Sequence, residues 1–215
     1  QMVANNEAYK PTLSIADAIK LLNESKVDKA RVADIAEIFR GKAITKDLKK
    51  PGDFLVLNII NIVSGEINYA NMESVDWDDR KMKRHLLEAG DLLITCRGTV
   101  VKIAVFEDIG KKVIASSNII VVRLKKSMSP RFLKLFLESP VGETILKSVM
   151  PFGSVLNLNP GIIAHLMIPI LPMRKQQLLV KQYEEELNNY QEALRKLNEN
   201  WSIKKEHIYK SILED

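Results

Sequence analysis

The 215 residues, 46% apolar and 27% charged, can bury one sizeable core, or one domain plus an extended element. A single cysteine, Cys96, excludes an intrachain disulfide framework and a cysteine-rich zinc site, and His85, His165 and His207 share no metal-ligand spacing. No apolar run is long enough to span a membrane, and residues 1–25 lack the basic start and apolar core of a signal peptide, so the expected location is cytoplasmic.

Residues 1–25 read as a leader or linker with a short helix, in which Ser14 caps, Asp17 sits as in a capping box, and Ile15, Ala18, Ile19 and Leu22 form one face. Residues 31–40 fit a helix or a strand, and Gly41 marks a turn. The next hundred residues read mostly as strands. Pro51-Gly52-Asp53 precedes Phe54 to Ile60, and Ser64-Gly65 precedes Ile67-Asn68-Tyr69. Gly90-Asp91 precedes Leu92 to Cys96; Val100 to Phe106, Val113 to Ala115 and Ile119 to Leu124 complete the set. Ser129-Pro130 opens a helix, a second follows Pro140, and Pro169 and Pro172 bracket a connector after the apolar Ile162 to Ile170.

From Gln176 onward there is neither glycine nor proline. Val180, Tyr183, Leu187, Tyr190, Leu194, Leu197, Trp201, Ile208 and Ile212 mark an apolar stripe, interrupted at Lys204. Between Tyr183 and Trp201 its steps alternate between four and three residues, a heptad pattern that predicts one long helix built to pack on another. At 1.5 Å per residue the helix spans about 55 Å. The expected fold class is therefore α+β: a mixed, β-rich domain over residues 26–172, then a coiled-coil helix over 173–213.

The formal charge of +5 is unevenly placed. Residues 174–215 carry eight basic and eight acidic side chains, whereas 80–134 carry thirteen Lys/Arg against four Asp/Glu. Residues 26–50 are also basic and 66–79 acidic. A basic body joined to a neutral helix fits a division between polyanion contact and assembly, although solvated lysine-rich turns give the same composition.

Catalytic and cofactor signatures do not emerge. There is no Gly-x-Gly-x-x-Gly and no Walker phosphate loop, and no cofactor or metal is expected. Asn157-Leu158-Asn159-Pro160-Gly161 is similar to the asparagine–proline loop of adenine methyltransferases, but lacks its second proline and aromatic. The acidic pairs Asp78-Asp79 and Glu107-Asp108 lie in turn-like stretches without catalytic partners, and Cys96 reads as a small core residue.

Three stretches carry a family resemblance. Gly90-Asp91-Leu92-Leu93-Ile94-Thr95-Cys96-Arg97-Gly98-Thr99 resembles a signature of type I restriction–modification specificity subunits. Val32 to Lys42 looks like the start of their target-recognition domain. Leu156-Asn157-Leu158-Asn159, Ile168-Pro169-Ile170-Leu171-Pro172 and Gln176-Gln177 look like its exit into the family's conserved helix. The match departs at Lys175, where the family commonly has an acidic residue, and at Val101, where it commonly has glycine.

The resemblance implies a non-enzymatic specificity component with one target-recognition domain and one conserved helix. Such a chain would be a half-subunit or the specificity region of a longer methylase protein, and a start at Gln1 suggests a fragment or a processed chain. It would read one half of a bipartite site in double-stranded DNA and direct a separate adenine methyltransferase subunit, and a restriction subunit where one exists. Antiparallel pairing of two long helices would give a homodimer with a reader at each end, and the pairing positions would be Tyr183, Leu187, Tyr190, Leu194, Leu197, Trp201 and Ile208. Candidate DNA contacts are Arg40, Lys42, Arg97, Lys102, Lys111 and Lys112 for phosphates, with Arg97 or Arg40 suited to guanine. Thr45, Asn58, Asn61, Ser116, Ser117 and Asn118 add smaller donors and acceptors. For Arg97, DNA contact and support of the Gly98 turn stand as equal alternatives. Two further readings remain open: a structural coiled-coil interaction protein, and a fragment of an adenine methyltransferase whose catalytic domain is missing.

Overall fold

A computed structural model describes residues 13–44, 52–77, 83–125, 127–150 and 157–213. Thr45, Pro51, Asp78-Asp79 and Leu156 lie outside the described residues. The chain divides into two units, residues 1–173 and 174–215.

The first unit begins with helix α1 (Ile15–Glu24), whose Ser14 Oγ accepts from the Asp17 amide at 3.1 Å and donates to the Asp17 carboxylate at 2.6 Å. The N-cap half of the capping box is thereby made, while the Asp17 carboxylate takes the Ser14 hydroxyl rather than its amide. Ala18 and Leu22 are buried, and α1 packs against a later helix, α4 (Pro140–Ser148). The predicted leader helix is thus part of the packed body. Strand β1 (Asp28–Arg31) pairs antiparallel with the last strand of the unit, β11 (Met167–Ile170).

Residues 31–40 contain both predicted alternatives. A single helical turn, α2 (Val32–Ile35), runs into strand β2 (Ala36–Arg40). β2 enters a four-stranded sheet of order β2-β10-β7-β8, with β7 at Leu92–Thr95, β8 at Ile103–Val105 and β10 at Ile119–Leu124. A three-stranded sheet has the order β6-β3-β9, where β3 is Phe54–Leu57, β6 Glu73–Val75 and β9 Lys112–Ala115. β3 and β9 run parallel, with Phe54 opposite Lys112 and Leu57 opposite Ala115. A hairpin joins β4 (Ile62–Val63) to β5 (Glu66–Ile67), and its two turn residues, Ser64 and Gly65, both have positive φ, as tight two-residue hairpins favour.

The period-2 alternation of the strands builds one main core. Leu57, Leu93, Ala104, Val113, Ala115, Ile119 and Val121 meet there with Phe106 and Ile62, and Phe39 and Tyr69 pack on the rim. The alternate residues Phe54, Val56, Val75 and Ile114 form a second cluster with Trp77 and Leu86. β7 and β10 are buried on both sides at Leu92, Ile94, Ile120 and Val122, which accounts for their unbroken apolar sequence. Helix α3 (Pro130–Glu138) packs on β8, and α5 (Pro160–Ala164) packs on β2. All three later helices of the unit start alike. Ser129, Ser139 and Asn159 each cap through a side-chain oxygen, and proline follows in the first turn.

Several strand expectations were too long, among them Ile67-Asn68-Tyr69, of which only Ile67 is strand. Phe54 to Ile60 stops being a strand at Leu57, because Ile59–Asn61 folds into a 3-10 turn in which the Asn58 amide donates to Asn61 Oδ1 at 2.9 Å. Val100 to Lys102 forms loop rather than strand, leaving β8 to start at Ile103.

The second unit consists, over its described residues, mainly of helix α6 (Met173–Ser211), which starts at the expected residue and ends two residues before the expected 213. Lys181–Glu185, Lys196–Glu192 and Lys210–Glu206 pair along it at i,i+4 spacing, and Arg195 bonds both Glu192 and Glu199. Among the described residues no helix is long and apolar enough to cross a membrane.

Candidate nucleic-acid interface

Most of the candidate residues converge on one end of the two sheets. Ile120 lies opposite both Arg40 of β2 and Ile94 of β7, so the C-terminal ends of those strands flank the start of β10. The turn Ser116-Ser117-Asn118 leaves β9 and starts β10 at the same end. Backbone bonds tie the pieces together: Gly41 N–H to Ile119 O, Lys42 N–H to Ala115 O, Cys96 N–H to Asn118 O and Ser116 N–H to Leu57 O. Gly41 is demanded here, because a Cβ on it would collide with the carbonyls of Ala115 and Ser116. Arg40, Lys42, Asn58, Arg97, Lys102, Ser117 and Asn118 thus come together. Lys111 and Lys112 do not, since they stand at the opposite, N-terminal end of β9.

Proximity does not make these side chains equivalent. Arg40 donates from Nε to the Ser117 carbonyl at 2.6 Å and from Nη2 to Cys96 Sγ at 3.3 Å, so its guanidinium clasps two loops together. Lys102 Nζ donates to the carbonyls of Ile62 at 2.7 Å and Ile59 at 3.3 Å, fastening the 3-10 turn. Lys112 stands over the Phe54 ring, 5.1 Å from its centroid. Asn58 and Asn61 shape their own turn, and Asn61 is buried. Ser117 supplies its carbonyl to Arg40 and Asn118 is exposed.

Arg97 stands apart. It is exposed in the β7–β8 loop, and among the described residues its guanidinium makes no hydrogen bond or ion pair. The turn that follows is held by other groups. Thr95 is fully buried; its Oγ1 accepts from the Lys102 amide at 2.8 Å and donates to the Val100 carbonyl at 3.3 Å. Gly98 adopts φ +112°, a conformation that L side chains rarely enter, with nothing near its missing Cβ. Of the two roles open to Arg97, structural support of the turn is filled by Thr95.

Several contributors gave little sequence signal. Asp91, 1% exposed, accepts two bonds from Arg123, from Nε at 2.9 Å and Nη2 at 2.8 Å, and a third from the Glu88 amide at 2.8 Å. Arg123 also meets Glu88 at 2.7 Å and the Leu86 carbonyl at 2.8 Å. Hydrogen bonding to Asp91 raises the guanidinium pKa above its ordinary value. The Gly90-Asp91 pair, which reads as a turn, is thereby also the anchor of β7 to β10. Arg84 Nε donates to His85 Nε2 at 3.3 Å, while His85 Nδ1 is buried without a partner among the described residues. Burial, then the charges of Arg84 and Lys42, hold this imidazole below its usual pKa. Ser116 Oγ is likewise buried and unpaired beside the convergent turn. Asn159 caps α5, and Leu158 is buried with its amide bonded to the Cys96 carbonyl.

On α6 the heptad positions split between half-buried Leu187 and Leu194 and exposed Tyr183, Tyr190, Leu197, Trp201 and Ile208. Trp201 and Leu197 are 59% and 64% exposed, a large apolar stripe for a helix otherwise laced with charge.

A family model described as "Type I restriction modification DNA specificity domain" matches residues 24–199. A solved structure from work on complex assembly and conformational transition of the type I R-M system is similar, with TM-score 0.58, 12% identity, and 82% of this chain and 44% of that one covered. The HsdS subunit from Thermoanaerobacter tengcongensis gives TM-score 0.56 at 12% identity, covering 81% of this chain and 44% of that one. The type IIG restriction endonuclease BpuSI gives TM-score 0.57 at 13% identity, with 80% and 28% covered. At these identities the likeness is one of fold. The chain spans less than half the length of each of these proteins. No curated protein sequence matches it.

Proposed function

The chain belongs to the type I restriction modification DNA specificity family, and from that membership we propose that it reads one half of a bipartite DNA site for a separate adenine methyltransferase. The observation that carries this reading is the convergent end of the two sheets, where Arg97 is exposed, with no partner among the described residues, on a loop whose geometry Thr95 fixes. A guanidinium free of internal acceptors keeps its parallel donors for guanine or phosphate. Arg40, Lys102 and Lys112 contribute chiefly positive field and support, because their donors or faces are already occupied.

The domain boundaries follow the same logic: residues 26–172 read DNA and 173–213 set spacing and assembly. Two copies of α6 pair antiparallel in this reading. Matching each stripe residue to one whose number completes a sum of 391 puts Tyr183 against Ile208, Tyr190 against Trp201, Leu194 against Leu197, and Leu187 against Lys204 of the partner subunit. This is the a-to-d matching that antiparallel seams require. Charge supports it. Residues 176–194 hold four Glu and one Lys, whereas 195–213 hold five Lys/Arg and two Glu, so a net of −3 faces a net of +3.

A second reading draws on the likeness to BpuSI: the same module as one part of a longer enzyme chain. The gene sequence upstream of Gln1 separates the two, since only the second requires a fused cofactor-binding domain. The test of the function itself is selection from a random duplex library, with and without the neighbouring methylase subunit. A defined half-sequence is expected to enrich in the assembled complex. Enrichment of no sequence there refutes the proposal.

A further inference from the structure

We propose that Ile60 and Val100 read thymine, by apolar contact with its C5-methyl group beside Arg97; the inference rests on the DNA-reading function proposed above. Both are aliphatic residues left largely in water, at 79% and 61% exposure, and Val63, in the strand that follows the Ile60 turn, is 50% exposed. They come from separate segments that the fold fastens together. Val100 shares the β7–β8 loop with Arg97, and its carbonyl is held by Thr95 Oγ1. Ile60 is the middle residue of the 3-10 turn, and the carbonyls of Ile59 and Ile62 on either side of it are gripped by Lys102 Nζ. The same turn is stiffened by Asn61, which accepts from the Asn58 amide.

The two side chains are thus carried on built supports, and β-branching restricts their rotamers further. Their surroundings favour DNA as the occupant. Val100 lies in the segment with thirteen Lys/Arg and four Asp/Glu, three residues after Arg97, and Ile60 lies in a turn that Lys102 fastens to that segment. In the major groove the thymine methyl is the one apolar mark on a base edge, and contact with it separates T·A from C·G. An arginine and two aliphatics on one edge would read guanine and thymine by different chemistry.

The test uses the full chain, assembled with its methylase subunit, on the sequence obtained by selection. Each thymine is replaced in turn by deoxyuridine, which removes only the methyl group, and affinity is read by fluorescence anisotropy. At one or two positions the wild-type chain is expected to lose about four-fold, the equivalent of about 0.8 kcal/mol for one buried methyl. Ile60→Ala or Val100→Ala should abolish that discrimination while binding to unrelated duplex and thermal stability stay unchanged. Indifference of the wild type to every deoxyuridine, or equal discrimination by both variants, overturns the inference while leaving sequence selection intact. Weakened assembly with the methylase subunit, with discrimination kept, also overturns it and assigns the surface to a protein partner. Enrichment of no sequence at all removes the underlying function, and the inference with it.

Discussion

Lys204→Leu is expected to tighten self-association through α6 by about thirty-fold. In the antiparallel register Lys204 is the one charged residue of the seam, facing Leu187 of the partner subunit, and symmetry makes two such layers per dimer. A lysine already covers part of its layer with its aliphatic stem, so leucine gains less than the ~1.5–3 kcal/mol of full burial. Taking about 1 kcal/mol per layer gives about 2 kcal/mol per dimer, or a factor of about thirty in Kd. Sedimentation equilibrium over a range of protein concentrations measures it. A second variant fixes the register. Glu184→Lys places like charge opposite Lys205 of the partner subunit and should weaken the dimer a few-fold at low salt, with the effect fading as salt rises. Cysteines introduced at 194 and 197, one in each of two differently tagged chains, should cross-link. A wild-type chain that stays monomeric at high concentration refutes homodimerisation. An unchanged Kd for Lys204→Leu, or cross-linking of 183 to 183 in place of 194 to 197, refutes the antiparallel register.

Arg97→Ala should cost about 1–3 kcal/mol of specific affinity and relax selection at one or two base positions, while Lys111→Ala, at the other end of β9, should leave selection unchanged; parallel library selections read both. Asp91→Ala leaves Arg123 partly buried with only the weaker counter-charges of the exposed Glu88 and of Glu37 across the strand pair, so a loss of about 3 kcal/mol and a Tm lower by about 6–12 °C are expected by calorimetry. His85 is held below the ordinary imidazole value of about 6.5, so the unfolded chain binds its proton first. Its contribution to stability is therefore intact above that pH and lost as pH falls through it toward the depressed folded value. Comparing Tm at pH 7.5 and 5.5, His85→Gln should show a smaller drop than the wild type, and an equal drop would contradict the assignment.

Local sequence was sufficient for much of the fold. The heptad stripe and the lack of glycine and proline located α6, and Ser129-Pro130 and Pro140 located the starts of α3 and α4, whereas the short α5 after Asn159-Pro160 was not foreseen. Those signals work because capping and side-chain period act within a turn or two of chain. The unbroken apolar runs of β7 and β10 marked strands, but not that helices and a second sheet would cover both faces. Residues 31–40 remained ambiguous because the chain changes from a helical turn to a strand at Ala36, where pairing with Leu124 takes over.

By itself the sequence determined which chemical groups the chain carries and roughly where: a basic body, a neutral helical arm, and the motifs of the specificity family. Only the tertiary structure decided which cations remain free to act. Arg40 finds its acceptor at Ser117, and Lys102 finds its acceptors at Ile59 and Ile62, about forty to eighty residues away along the chain. Arg97 finds none among the described residues. A guanidinium or ammonium engages whichever carbonyl the fold leaves without a strand partner, because a buried oxygen without a donor is costly. That choice depends on long-range register, which no local pattern of charge contains.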